Sequence, residues 1–144
     1  MNKGKSEVKA WVGEITIPTY KVGAVDQNPP IFVKRKNPIH PGSVIIYPYP
    51  LNENLTSECE DKVWKALFIE NDFLRVTLLP DLGGRLLSVF DKTTGEEAMY
   101  RNHVLKFSRI GIRGAWVSGG VEWNFPNGHT VTSSSPIDYT IRDN

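Results

Sequence analysis

From residue 63 onward, apolar and polar positions alternate with the period of two expected of strands lying in a sheet. Residues 63–69 are rich in β-branched and aromatic side chains and predict one strand. Glu70, Asn71 and Asp72 supply turn residues, and residues 73–79 then set Leu74, Val76 and Leu78 on one face against Arg75 and Thr77 on the other. These two segments predict a hairpin. Residues 80–84 break the second strand at a proline and two glycines, and residues 85–91 predict a third, with Leu87 and Val89 opposite Leu86, Ser88 and Phe90 and both faces partly buried. A polar loop over 91–96 holds Gly95, suited to a left-handed turn, and leads into a fourth strand at 97–100. The sum is an antiparallel meander. No stretch carries a 3.6-residue periodicity of helix length; the one helical expectation is a single turn within 102–110.

Upstream the pattern differs. Seven of the ten prolines lie in the first 50 residues (Pro18, Pro29, Pro30, Pro38, Pro41, Pro48 and Pro50), and each fixes φ and removes a backbone donor. Residues 1–43 therefore predict a proline-rich arm or edge strands, with strands at 8–16 and, further on, at 44–47, joined by extended connections over 26–30 and 36–42. Trp11, Ile15, Ile17, Phe32 and Tyr47 have to find apolar partners elsewhere, because so short a segment cannot bury them against itself. Residues 44–144 are expected to form the β-domain proper. At the other end, residues 131–142 look like the beginning of a strand at which the sequence stops. The expectation there is a boundary inside a larger domain, or a homo-oligomer in which a second copy covers the unpaired sheet edge.

Composition narrows the classes of function. The chain has 144 residues, 40% hydrophobic and 23% charged, which suits one soluble globular domain. Lys and Arg number 17 against 16 Asp and Glu, so the net charge of +1 makes no field for a polyanion, and neither nucleic acid nor a membrane surface is an expected partner. The only basic run, Lys34-Arg35-Lys36, sits among prolines and reads as a solvated loop. The single cysteine rules out an intramolecular disulfide framework. Cys59 lies in Glu58-Cys59-Glu60-Asp61, where negative charge disfavours the thiolate, so an inert thiol in a reducing, cytoplasmic compartment is expected. No run approaches a membrane span, and the first residues lack the apolar core of a signal peptide.

The motifs of several enzyme classes are missing: no phosphate-cradling glycine loop with Lys-Ser/Thr, no Gly-x-Ser-x-Gly, no His-Glu-x-x-His and no Cys-x-x-Cys. His40, His103 and His129 lie far apart in sequence, so neither a metal nor another cofactor is expected.

Two glycine-bearing stretches remain, residues 79–89 (LPDLGGRLLSV) and 116–129 (WVSGGVEWNFPNGH). The first resembles the Gly-x-Arg-hydrophobic strand signature of the galactose mutarotase-like superfamily. Together they are similar to the uncharacterised mutarotase-like domain that precedes tetratricopeptide repeats in many bacterial proteins, over about residue 44 to the end. The resemblance implies an all-β fold, an antiparallel β-sandwich forming the first part of a mutarotase-like supersandwich, and a carbohydrate ligand. It also implies mutarotation: a carboxylate takes the anomeric hydroxyl proton while a histidine protonates the ring oxygen, and ring opening and reclosure invert C1. In that superfamily the carboxylate base lies in the later half of a domain about twice as long as this chain, so activity is expected of a longer parent protein.

The individual residues admit more than one reading. Arg85 is either a surface strand residue whose guanidinium caps a neighbouring carbonyl, or the substrate-binding arginine the resemblance implies, its fork suited to vicinal hydroxyls beside Gly83 and Gly84. Trp116 and Trp123 are either core rings or plates for the C–H face of a pyranose, with Asn124 at the rim. Glu122 and His129 are the candidate catalytic pair, although a histidine after Asn127-Gly128 also fits a turn. Three functions follow: a sugar-processing enzyme, a glycan-binding unit, or a protein-interaction module anchored by Trp116, Trp123 and Phe125.

Overall fold

A computed structural model of the chain describes residues 7–24, 54–109, 115–123 and 134–142. The expected strand at 44–47, the connections over 26–30 and 36–42 and the basic run at 34–36 lie outside these residues. Seven strands form two sheets: β1 (Lys9–Val22), β2 (Leu55–Glu70), β3 (Leu74–Leu79), β4 (Arg85–Asp91) and β5 (Glu96–Glu97) in one, β6 (Phe107–Arg109) and β7 (Ala115–Val117) in the other. The first sheet is a meander in the order β1-β2-β3-β4-β5, antiparallel throughout. The protein is thus all-β and sandwich-like, with no helix among the described residues. The single helical turn expected within 102–110 is not formed: Leu105 bridges the edge of β1, and the chain runs straight into β6.

The core lies between the larger sheet and the β6–β7 ribbon. Ile17, Trp64, Ala66, Leu79, Leu82 and Leu87 meet Leu105 and Val117 there, with Ile15, Phe68 and Phe107 packed around them. The Trp64 indole N–H donates to Thr19 Oγ1 at 2.9 Å, and that hydroxyl donates to the Ile17 carbonyl at 2.8 Å, so the buried polar atoms of this corner are satisfied. Trp11 stacks on Phe68 across β1 and β2, with ring centroids 5.2 Å apart.

Pro18 sits within a long strand without disturbing it. Leu105 N donates to Pro18 O at 2.9 Å and Tyr20 N to Leu105 O at 2.8 Å, so the backbone of these even-numbered residues points away from β2. The missing N–H therefore costs no bond of the β1–β2 ladder.

The turns follow their side chains. Asn71 Oδ1 accepts from the N–H groups of Phe73 and Leu74 at 2.9 and 2.8 Å, closing the β2–β3 hairpin. Asp91 Oδ1 accepts from Thr93 N, Thr93 Oγ1 and Thr94 N, and Gly95 completes the turn into β5 at φ +76°.

Several sequence expectations need correction. β2 begins at Leu55, not at 63, because residues 55–62 are polar and acidic and owe their strand to pairing with β1, where Lys21 bridges Glu58 and Glu60 at 3.5 and 3.1 Å. The fourth strand is confined to Glu96–Glu97. Residues 134–142 form no strand; they cross the outer side of the sheet as a strap, tied by Gly83 N to Ser135 O at 2.8 Å and Ile137 N to Pro80 O at 3.0 Å. On β3 Leu74, Val76 and Leu78 share one side as expected, and it is the opposite side, with Thr77 and Leu79, that faces the core. On β4, Thr77 pairs with Ser88 but the next residue, Leu78, pairs with Leu86, so Leu87 is the extra residue of a β-bulge. Leu86 is therefore not on the face of Ser88 and Phe90. The same one-residue slip brings Arg85, opposite Leu79, onto the core side.

Candidate functional site

The site is built where β4 begins. Gly83 and Gly84 adopt φ of +65° and +63°, a backbone that carries the chain from the 80–82 turn into the strand. Across from them, Gly119 and Gly120, at φ +92° and +69°, lay residues 119–123 along the edge of β4. Leu86 N donates to Val121 O at 3.2 Å and Val121 N to Leu86 O at 2.9 Å, forming an antiparallel bridge. A Cβ on Gly120 would run into the Leu86 carbonyl, so only glycine permits this approach.

The Arg85 guanidinium lies beneath this loop, its side chain 3% exposed. One Nη donates to the Gly119 carbonyl and the other faces Glu122 Oε2 at 3.5 Å. Arg85 Nε is buried and meets no acceptor among the described residues. Burial pushes the guanidinium below its ordinary pKa, and the Glu122 carboxylate opposes that shift. Arginine stays charged even so. Buried ion pairs of this kind contribute less by attraction than by the cost of breaking them, so the pair acts as a latch between β4 and the 119–123 loop.

Of the residues singled out in the sequence, Arg85, Glu122 and Trp123 are brought together. Trp123 Nε1 donates to Gly84 O at 2.7 Å, and the residue is 50% exposed. Trp116 is half-buried on β7, opposite Ser108. Asn124, Phe125 and His129 lie outside the described residues. Arg85 thus caps a carbonyl, but from inside the protein rather than as the surface residue its sequence suggested.

Sequence reasoning passed over Ile137. Its Cδ1 would lie 2.5 Å from a Cβ placed on Gly84, and Trp123 Cδ1 would lie 3.8 Å from it, so the two side chains flank one glycine. No motif marks the residue; only the path of the strap puts it there.

A second buried polar group lies further along β4. Ser88 Oγ is 2.8 Å from both Glu97 carboxylate oxygens, and Arg101 approaches Glu97 at 3.6 Å. Among the described residues no three His, Cys, Asp or Glu side chains are grouped to hold a metal ion, and no helix is long and apolar enough to cross a membrane.

The fold is similar to that of a TPR-domain containing protein from Parabacteroides distasonis ATCC 8503, known from its crystal structure: the TM-score is 0.77 at 26% sequence identity. The likeness covers 94% of this chain and 22% of that protein, so the chain spans about a fifth of its length. Residues 42–144, which include the glycine pair, the Arg85–Glu122 latch and Trp123, match the model of a domain of unknown function, and the chain belongs to that family, DUF5107.

Proposed function

We propose that this domain recognises carbohydrate as a unit of a longer protein related to the galactose mutarotase-like superfamily. The observation that carries the reading is Trp123: a half-exposed indole whose one polar atom is bonded to Gly84 O, leaving a fixed apolar plate beside a buried ion pair. Such a plate suits the C–H face of a pyranose. In this reading Arg85 and Glu122 hold the loop that carries the plate, rather than touching the sugar, and Asn124 and His129 are candidates for the polar rim. Catalysis belongs to the parent protein, if its later portion supplies a carboxylate base.

The second reading is a non-catalytic interaction module. It is favoured by the outer side of the large sheet, where Val12, Val63, Ile69 and Leu74 are exposed, and by the tetratricopeptide-repeat protein to which the chain is similar.

Titration of intrinsic fluorescence with a panel of monosaccharides separates the two. The carbohydrate reading expects saturable quenching in the wild type that is lost in Trp123→Phe. A signal unmoved by every sugar, with no heat on calorimetric titration, refutes it. Proton NMR of freshly dissolved α-glucose then distinguishes binding from accelerated anomerisation.

A further inference from the structure

We propose that Ile137 and Trp123 together form an apolar ledge over Gly84 that selects saccharides carrying a methyl group, an inference that rests on the carbohydrate reading above. Both side chains are partly open to solvent, Ile137 at 43% and Trp123 at 50%. They meet at Gly84, whose φ of +63° and lack of a Cβ let Ile137 settle beside the indole.

The ledge is fixed from two directions. Trp123 is held by its bond to Gly84 O. Ile137 is held through its own backbone: Ile137 N donates to Pro80 O, and the preceding turn is tied by Gly83 N to Ser135 O. Both anchors fall on the same 80–84 turn, so the spacing between the two side chains is set by that turn rather than by the length of the strap.

Chemically the ledge is one-sided. The indole N–H is already bonded, isoleucine has no polar atom, and the neighbouring Arg85 is buried beneath the loop. A sugar hydroxymethyl laid here gives up water and gains no partner, whereas a methyl group loses nothing on desolvation. The shared chemistry of the preferred ligand is a methyl substituent on a pyranose, whether at C6 of a 6-deoxyhexose or on an N-acetyl group. Discrimination of about tenfold over the hydroxymethyl or hydroxyl parent is the expected scale for one such group on an apolar surface.

Calorimetric titration of the whole chain with matched sugars provides the test: D-fucose against D-galactose, L-fucose against L-galactose, and N-acetylglucosamine against glucose. Tighter binding of about tenfold for the methyl-bearing member of at least one pair is expected, and which pair responds identifies the 6-deoxy or the N-acetyl source. Ile137→Thr, an exposed substitution, should bring that ratio close to one. Equal affinities within every pair, or a ratio that survives Ile137→Thr, overturn the ledge and leave carbohydrate recognition standing. Absence of binding to all six sugars overturns both.

Discussion

The indole N–H of Trp123 donates to the carbonyl oxygen of Gly84, the residue before Arg85, while the Arg85 guanidinium grips the carbonyl of Gly119 and the carboxylate of Glu122. The 119–123 loop is therefore fastened to the start of β4 at both of its ends, with the Leu86–Val121 bridge between. One of these fastenings rests on a buried charge.

Arg85→Met should be severe, because it removes the buried cation that faces the Glu122 carboxylate, 10% exposed, and holds the Gly119 carbonyl. Losses on breaking a buried pair run to about 3–5 kcal/mol. Urea unfolding followed by far-UV circular dichroism measures it. Replacing both members, Arg85→Met with Glu122→Leu, should recover part of the loss; a double variant worse than the single would show that the pair is not the source.

The glycines separate strain from crowding. Gly95→Ala meets open space and should cost only the left-handed backbone penalty, about 1–2 kcal/mol. Gly84→Ala carries the same penalty and also displaces Ile137, so it should be the more damaging of the two. Thermal melts of both variants check the order.

Leu87 is the extra residue of the β4 bulge and is 1% exposed. Leu87→Ala should destabilise by about 2–5 kcal/mol through the cavity it leaves. Deleting the residue removes the bulge but leaves Leu86 and Arg85 opposite Leu78 and Leu79, so the Arg85–Glu122 latch should survive and the loss should again be that of the buried Leu87 side chain. Urea unfolding of both variants checks this, and a deletion protein with no cooperative transition would contradict it.

Asp91 provides a pH prediction. The Thr93 hydroxyl, followed by the Thr93 backbone N–H, holds its carboxyl below the ordinary carboxylate range. A depressed folded pKa means the stabilisation is complete above the unfolded value near 4 and is lost as pH falls through the folded one. The stability gap between wild type and Asp91→Ala should narrow over that acidic window, and carbon-detected NMR titration of the Asp91 carboxyl should give a midpoint below that of a model peptide.

The meander and its turns were legible because period-two alternation, Asn71 and Gly95 are local signals. Three things were not. Strand β2 reaches back to Leu55 through residues with no apolar alternation, since a long-range partner, β1, supplies the bonds. The bulge at Leu87 reverses the side of everything before it, so an alternation read through residues 85–91 without a break put Leu86 on the face of Ser88. Ile137 reaches the site by a strap whose course depends on two backbone bonds to Pro80 and Gly83. Arg85, Glu122 and Trp123 could be picked out as polar or aromatic residues near glycines, but not the burial that makes Arg85 a latch.

The direction in which Pro18 faces also limits how far the sheet could be enlarged sideways. The outward groups at 18 and 20 are already engaged by Leu105, and those of Ala10, Val12, Glu14 and Thr16 have no backbone partner among the described residues. An additional strand arriving on that flank, from this polypeptide or another, has only this seven-residue berth between Lys9 and Ile17. Its alignment is accordingly restricted to a few frames, ending where the imino acid offers it no hydrogen.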